Sequence, residues 1–323
     1  MNQIRISRKP VTTAACALRI ARPAGPGSRA GARRGRGRRR VCLFGVVAVL
    51  LAAVGGPGLW QSVALASSSS VPNWTKQAPA TSPSARVGAS MAYDAATGTM
   101  ILFGGKLPGN GQVYNGTWIW DGTTWTRQFP TTSPPARFGA SMAYDAATGT
   151  VVLFGGLSSS DRALGDTWTW NGTTWAKQAP ATSPPARGAA SMAYDAATST
   201  VVLFGGFGRA QYLGDTWTWD GTTWTKRAPA TSPPAREGAS IAYDAATSTV
   251  VLFGGDNGFI PVVYNGTWIW DGTTWTRQFP TTSPAARLGA SMAYDAATSN
   301  VVLFGGEPAT GPAFGDTWTW GSG

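Results

Sequence analysis

The fold is decided by one stretch of the sequence, Arg137-Phe-Gly-Ala-Ser-Met-Ala-Tyr-Asp-Ala-Ala-Thr-Gly-Thr-Val-Val-Leu-Phe-Gly-Gly156. Nearly the same letters begin again at Arg86, Arg187, Arg236 and Arg287, so that successive arginines are 51, 50, 49 and 51 residues apart. Each copy continues through a variable loop to Thr-Trp-x-Trp, and the first four copies then continue to Asp/Asn-Gly-Thr-Thr-Trp. A constant period of this length indicates a repeat architecture rather than several independent domains.

One copy of the repeat contains four short segments typical of β-strands. Residues 140–145 predict the first strand, which ends at a turn whose last position, Gly149, suits a left-handed backbone. The β-branched run 150–154 predicts the second strand, and the alternation of Thr and Trp over 167–170 predicts the third. Asn171-Gly172, two residues that tolerate positive φ, then predicts a short hairpin leading to a fourth strand over 174–177.

A twisted four-stranded sheet with two apolar faces must stack on copies of itself, and radial stacking gives an all-β propeller. The last copy stops after its third strand, at Trp320, whereas the segment Asn73-Trp74-Thr75 resembles an isolated fourth strand. The sequence therefore predicts five blades of four antiparallel strands. It also predicts a ring closed by the Trp74 segment, which would complete the C-terminal blade and remove the exposed edges.

These features resemble the kelch family of β-propellers over residues 71–323. The resemblance rests on Pro135-Ala-Arg-Phe-Gly139, on the Gly-Gly pair after the second strand, and on the spaced tryptophans of the third and fourth strands. Kelch motifs often have His after the glycine, where this chain has Ala89, Ala140, Ala189, Ala239 and Ala290. The central domain of galactose oxidase has a similar architecture, but its copper site uses histidines and this chain has none.

The N-terminal segment has a different composition from the repeats. Residues 1–70 hold 12 of the 26 Lys and Arg and no acid, and an arginine-rich run leads into the apolar stretch 41–54. Ala64-Leu65-Ala66 is a small-x-small cleavage pattern, so residues 1–66 are predicted to be a signal peptide. Residues 67–72 are interpreted as a Ser-rich linker and 73–323 as the propeller. Export to the cell surface or medium, through the Sec route or the twin-arginine route suggested by Arg39-Arg40, is expected; an uncleaved membrane anchor is the alternative.

Charge and composition exclude several function classes for the repeats. Residues 71–323 carry 14 basic and 15 acidic residues, a net charge of −1, which argues against a nucleic-acid-binding surface. Both cysteines lie before residue 70 and there is no histidine, so we predict no metal site, no cofactor and no catalytic residue. The chain is expected to be a monomer whose partner is a protein or a glycan.

The differences between copies cluster in the loop after the second strand and in the residue after each arginine. In an antiparallel blade these positions share one face, here called the loop face. The predicted ligand-binding residues are Arg86, Arg137, Arg187, Arg236, Arg287, Tyr114, Phe138, Tyr212, Glu237, Phe259, Tyr264 and Phe314. The arginines have two interpretations: a positive collar for an anionic or sugar ligand, or internal partners of carbonyls and acids.

The leading hypothesis is therefore an exported, non-catalytic binding module that recognises a protein or glycan through the loop face. A glycosidase or lyase is the first alternative, using two of the acids that break the repeat pattern, which are expected on different blades: Asp161, Glu237, Asp256 and Glu307. A purely structural cell-surface protein is the second alternative.

Overall fold

A computed structural model describes residues 76–109, 111–258 and 262–321. The predicted signal peptide, the Ser-rich linker, the closing strand around Trp74 and the candidate residue Phe259 lie outside these residues. The repeats fall in a single unit, Gln77–Gly323. In the part of the chain that the structure describes, no helix is long and apolar enough to cross a membrane.

The described residues form one sheet of three or four strands for each of the five copies of the repeat, which we call blades 1 to 5, and one additional two-stranded sheet. Blade 1 consists of β1 (Ser90–Asp94), β2 (Thr99–Phe103), β3 (Thr117–Trp120) and β4 (Trp125–Gln128), and blade 2 of β5 (Ser141–Asp145), β6 (Thr150–Phe154), β7 (Thr167–Trp170) and β8 (Trp175–Gln178). Blade 3 consists of β9 (Ser191–Asp195), β10 (Thr200–Phe204), β13 (Thr216–Trp219) and β14 (Trp224–Arg227), with a small hairpin of β11 (Phe207–Gly208) and β12 (Gln211–Tyr212). Blade 4 consists of β15 (Ser240–Asp244), β16 (Thr249–Phe253), β17 (Thr267–Trp270) and β18 (Trp275–Gln278), and blade 5 of β19 (Ser291–Asp295), β20 (Asn300–Phe304) and β21 (Thr317–Trp320).

Every pairing within a blade is antiparallel and joins strands that are consecutive in the chain, apart from the β11–β12 hairpin inserted in blade 3. The first strands of neighbouring blades contact one another in order, β1 with β5, β5 with β9, β9 with β15 and β15 with β19. The structure thus confirms the predicted all-β propeller of five blades built from the repeat.

The two turns within a blade are built differently. Gly149 has a φ of 66°, and Ser199, Ser248 and Ser299 adopt the same left-handed conformation at 54–57°, as predicted for the turn between the first two strands. Between the third and fourth strands the predicted short hairpin is confirmed. Asp121 to Thr124 form a four-residue turn in which the Asp121 carboxylate accepts the backbone N–H groups of Thr123 and Thr124, both at 2.8 Å. Only the glycine of this turn has a positive φ, because the side chain of Asp121 already satisfies the turn.

The Gly-Gly pair after each second strand allows two blades to approach closely. Gly155 has a φ of 68°, and a Cβ at this position would overlap the carbonyl oxygen of Arg187 in the next blade. Its neighbour Gly156 donates its N–H to that same oxygen at 2.8 Å. Gly-Gly is therefore required by the backbone contact between blades, not by strand termination alone.

The interfaces between blades repeat one set of contacts. Ile101 and Phe103 of blade 1 pack with Val151, Leu153 and Trp175 of blade 2 in one apolar cluster. The ring of Trp175 meets that of Phe103 edge-on at 5.4 Å, and equivalent pairs join Phe154 to Trp224 and Phe204 to Trp275. Each of these three indoles donates its N–H, at 2.9 Å, to a threonine of the preceding blade: Thr117, Thr167 and Thr216. The core is thus located between the blades.

The two end blades keep one such face exposed. Phe304 of blade 5 is 54% exposed, whereas its equivalent Phe154 is 1% exposed. On blade 1, Met91 and Tyr93 are each 54% exposed, and β1 does not contact β19. The predicted closing strand lies outside the described residues, so the closure of the ring remains a prediction.

Candidate functional site

The loop face is assembled from one backbone pair in each blade. The residue after each repeat arginine pairs with the residue after each Gly-Gly: Val87 with Lys106, Phe138 with Leu157, Gly188 with Phe207, Glu237 with Asp256 and Leu288 with Glu307. These are the positions at which the copies differ. The pairing explains why the two variable segments of the repeat lie together on each blade.

A chain of backbone hydrogen bonds runs from blade to blade beside these pairs. Gly139 donates its N–H to Gly88, Ala189 to Gly139, Gly238 to Ala189 and Gly289 to Gly238, at distances between 2.7 and 3.0 Å. All five residues have positive φ, including Ala189 at 51°. In each blade the variable residue directly precedes one of these five hydrogen-bonded residues. A continuous series of backbone hydrogen bonds therefore supports the loop face.

Four of the five candidate arginines are buried. Arg137, Arg187, Arg236 and Arg287 are at most 1% exposed, and each donates to a carbonyl two residues earlier and to one 18 residues later. Three of them also form paired hydrogen bonds with a carboxylate of the same blade, Asp166, Asp215 or Asp316, at 2.6–2.9 Å. These contacts match the second interpretation of the arginines, as internal partners of carbonyls and acids. The four buried side chains do not contact solvent, so a ligand in solvent does not reach them.

Each of these carboxylates accepts a third hydrogen bond from an indole. Trp168 donates its N–H to Asp166 at 2.7 Å, and Trp217 and Trp318 donate to Asp215 and Asp316 in the same way. Burial alone would raise the pKa of Asp166, but the hydrogen bonds from Arg137 and Trp168 outweigh it and lower that pKa. The aspartate therefore remains ionised as the acceptor of three donors.

Blades 1 and 4 lack this aspartate. Gly116 and Gly266 occupy its position before the third strand, and Arg86 and Arg236 stack over Tyr114 and Tyr264 at 4.5 and 4.0 Å. Burial, together with the charge of the nearby Arg277, lowers the pKa of Arg236 to about 10. Arg86 is only half-buried. Phe314 lies 4.2 Å from the guanidinium of Arg287, so all three of these candidate aromatic residues contact arginines.

The other candidate residues lie on the loop face itself. Phe138 is half-buried and has the ammonium of Lys106 4.7 Å from its ring centre, while Lys106 also pairs with Asp161 at 3.6 Å. Tyr212 packs on Phe207 with ring centres 5.0 Å apart. The structure therefore joins two aromatic clusters to the variable pairs, one around Phe138 and one around Tyr212.

An acidic pair stands beside Tyr212. The four acids that break the repeat pattern were expected on different blades. This expectation was wrong for Glu237 and Asp256, which are backbone partners in blade 4. Burial and the charge of Asp256 raise the pKa of Glu237 to about 7, and burial with both acids raises the pKa of Tyr212. The two residues of every variable pair are 19 positions apart in the sequence, and this constant spacing was the signal from which their adjacency could have been predicted. Within the described ranges no cluster of three or more acids is arranged to hold a metal ion.

A comparison with protein families places the repeats. The family model described as the KLHDC2/KLHL20/DRC7 Kelch-repeats domain matches residues 123–306, which is 184 of the 323 residues. The chain belongs to the kelch-repeat family. No curated protein matches this kelch propeller. The assignment agrees with the geometry, because kelch propellers are commonly protein-binding modules and this one keeps its sequence variation on a supported loop face.

Proposed function

We propose that the protein is an exported, non-catalytic binding module that recognises a segment of another protein through its loop face. The observation that supports this proposal is the row of variable backbone pairs, one on each blade, carried on a hydrogen-bonded support that does not vary. A rigid scaffold with diversified loops is the usual arrangement of a binding surface. Export is proposed from the sequence of residues 1–66.

The two aromatic clusters are the proposed contact points for the partner. Phe138 and Tyr212 present half-buried rings beside charged neighbours, Lys106 on one blade and Glu237 with Asp256 on another. Aromatic residues ringed by polar groups are the commonest anchors of protein interfaces. The opposite charges on the two sides of this surface would orient a bound segment.

The experiment is a selection of peptides from a random library with the full chain as bait. We expect Phe138→Ala and Tyr212→Ala to weaken the selected peptides by about tenfold or more, as expected for interface anchors. Thr123→Ala, in the turn on the opposite face, is the matched control and should retain full affinity. Peptides that bind all four proteins equally would show that the loop face is not the binding surface.

A carbohydrate-active enzyme is a second candidate, favoured by the Glu237–Asp256 pair. A carboxyl group with a raised pKa beside a second carboxyl group is the arrangement used for general acid catalysis on glycosidic bonds. Turnover on a panel of polysaccharides that is lost in Glu237→Gln and kept in Phe138→Ala would establish it. Absence of turnover on the whole panel leaves the binding module as the function.

A further inference from the structure

Blades 2, 3 and 5 contain a built-in example of carboxylate recognition. In blade 2 the carboxylate of Asp166 accepts two hydrogen bonds from Arg137, at 2.7 and 2.8 Å, and one from the Trp168 indole at 2.7 Å. Blades 3 and 5 repeat this set of donors with their own aspartates. Two guanidinium donors and one indole donor therefore define a site whose shape and charge suit one planar carboxylate.

Blade 1 keeps the donors and loses the carboxylate. Arg86 donates to the carbonyls of Ser84 and Gly104 at 2.9 and 2.8 Å, the same two bonds that Arg137 makes in blade 2, so its guanidinium lies in the same place. Gly116 stands where Asp166 stands in blade 2. A Cβ built on Gly116 would meet only the Trp118 indole, with its Nε1 at 3.2 Å, so the volume of the aspartate side chain is empty.

An open cavity occupies that position. It has a volume of about 300 Å³ and is lined by Arg86, Tyr114, Asn115, Trp118 and Arg127, among others, with no acid in its lining. Asn115 and Arg127 are exposed and Arg86 is half-buried, so the cavity opens to solvent. This separates blade 1 from blade 4, where the equivalent Arg236 is 1% exposed.

The lining of the cavity contains a second cation, Arg127, at a strand position that is basic in blades 2, 3 and 4 as well. Arg127 stands opposite Trp118 in the strand register, where blades 2 and 3 have Lys177 and Lys226. Burial lowers the pKa of Arg86, and the charge of Arg127 lowers it further, which indicates two cations close together. Two guanidinium groups and an indole N–H thus face a cavity that supplies no counter-charge.

We propose that this cavity of blade 1 is a carboxylate-binding site, occupied by an acidic side chain of the partner protein segment. The identity of the occupant, a side chain of a partner protein, rests on the proposed function. The preference of the site for a carboxylate is argued independently, from the comparison with Asp166. The incoming carboxylate takes the place of the missing aspartate, accepting from Arg86 and from the Trp118 indole, while Arg127 covers its outer side.

The first experiment is a titration of the full ¹⁵N-labelled chain with acetate, followed through the tryptophan indole resonances. The Trp118 indole resonance, assigned with Trp118→Phe, should move and saturate, because a charged acceptor replaces solvent at its N–H. Acetamide and chloride at equal concentrations should not move it. No change of this resonance with acetate would overturn the proposal.

The decisive variant is Gly116→Asp, which restores the internal carboxylate. The backbone at Gly116 is not left-handed, and the nearest atom to a Cβ there is the Trp118 Nε1 at 3.2 Å, so aspartate needs only a small shift of that indole. We expect this variant to lose the acetate response while its melting temperature rises, which excludes misfolding as the reason for the loss. Gly266→Asp makes the same change in blade 4 and should keep the response of Trp118. An acetate response that survives in Gly116→Asp contradicts the proposal.

The peptides selected above separate this proposal from the function on which it rests. A bound peptide that contains Asp should lose about tenfold or more in affinity on Asp→Asn exchange, and the same loss should occur with Gly116→Asp. Peptides whose affinity falls with Phe138→Ala but does not change with Gly116→Asp would support the binding module and overturn the carboxylate site. Acetate binding in a chain that selects no peptide overturns the assignment to a partner side chain, in favour of a small carboxylate.

Discussion

One residue position in each repeat decides what its arginine can do. Where Asp166, Asp215 or Asp316 precedes the third strand, the guanidinium is engaged by a carboxylate within the blade. Where glycine stands there instead, at Gly116 and Gly266, the same arginine retains only carbonyl, hydroxyl and aromatic neighbours. Nearly identical motifs therefore contain arginines of two kinds, and of the second kind Arg236 is buried whereas Arg86 is partly exposed.

The Arg137–Asp166 pair gives the first prediction at this scale. Asp166→Ala leaves the Arg137 side chain, which is 0% exposed, without its counter-charge, and loss of one partner of a buried pair costs about 3 kcal/mol or more. We expect urea unfolding to show that decrease in the free energy of unfolding. Asp316→Ala serves as the control and should cost less, because the Asp316 side chain is 41% exposed. Equal losses in the two variants would contradict the assignment.

Glu237 gives a second prediction, about pH. Its pKa in the folded chain, about 7, lies above its ordinary value of 4.5 because of burial and the charge of Asp256. Between these two values the folded state holds a proton that the unfolded state has lost, so this group makes the free energy of unfolding fall as pH rises from about 4.5 to about 7. Glu237→Gln should therefore be the more stable protein above pH 7, by up to about 3 kcal/mol, and the difference should vanish near pH 4.

The measurement is urea unfolding of both proteins at pH 4, 6 and 8. Only the difference in the free energy of unfolding between wild type and Glu237→Gln is interpreted. Other carboxyl groups titrate in the same pH range, but their contributions are common to both proteins and cancel in the difference. Tyr212 and Asp256 are the other titratable groups that act on each other and on Glu237 here. Asp256→Asn should move the transition to lower pH, and a difference that does not depend on pH would refute the prediction.

At the scale of strands, the sequence predicted the order and type of elements but not how the turns and arginines are satisfied. Short β-branched and Thr-Trp runs between glycines can form little other than strands, so β1 to β4 and their copies were predicted within a residue or two. The hairpin at Asp121 was predicted, but the sequence did not show that the Asp121 carboxylate would accept the backbone N–H groups of the turn. In blades 2, 3 and 5 the arginine is paired with an aspartate 28 or 29 residues away, and spacing alone does not reveal a contact at that range.

The indole–threonine bonds between blades give the prediction at this scale. Thr117→Val keeps the shape of the side chain but removes the acceptor of the Trp175 N–H, which is buried. An unsatisfied buried donor costs about 1–3 kcal/mol, and we expect that loss in the free energy of unfolding. Thr126→Val, at an exposed position of β4, is the matched control and should change stability little. A Thr117→Val protein as stable as the wild type would show that the hydrogen bond does not hold the blades together.

For the whole molecule, the two end blades present complementary faces. Blade 5 exposes Phe304, whose equivalents Phe103, Phe154 and Phe204 each contact a tryptophan of the next blade, and blade 1 carries Trp125, the equivalent of those tryptophans. A chain with two complementary apolar faces either closes on itself or joins other copies head to tail. The predicted closed ring is the first of these outcomes, and the expected monomer requires it.

Phe304→Ala tests the closure. If the end faces meet within one chain, Phe304 is a core residue like Phe154, and both Phe154→Ala and Phe304→Ala should cost about 3–5 kcal/mol. The cost of Phe304→Ala must also be independent of protein concentration, because an interface between copies would make stability rise with concentration. Urea unfolding at two concentrations at least tenfold apart measures both quantities. A cost below about 1 kcal/mol would mean that the face remains in solvent as its exposure of 54% indicates, and would refute the closed ring.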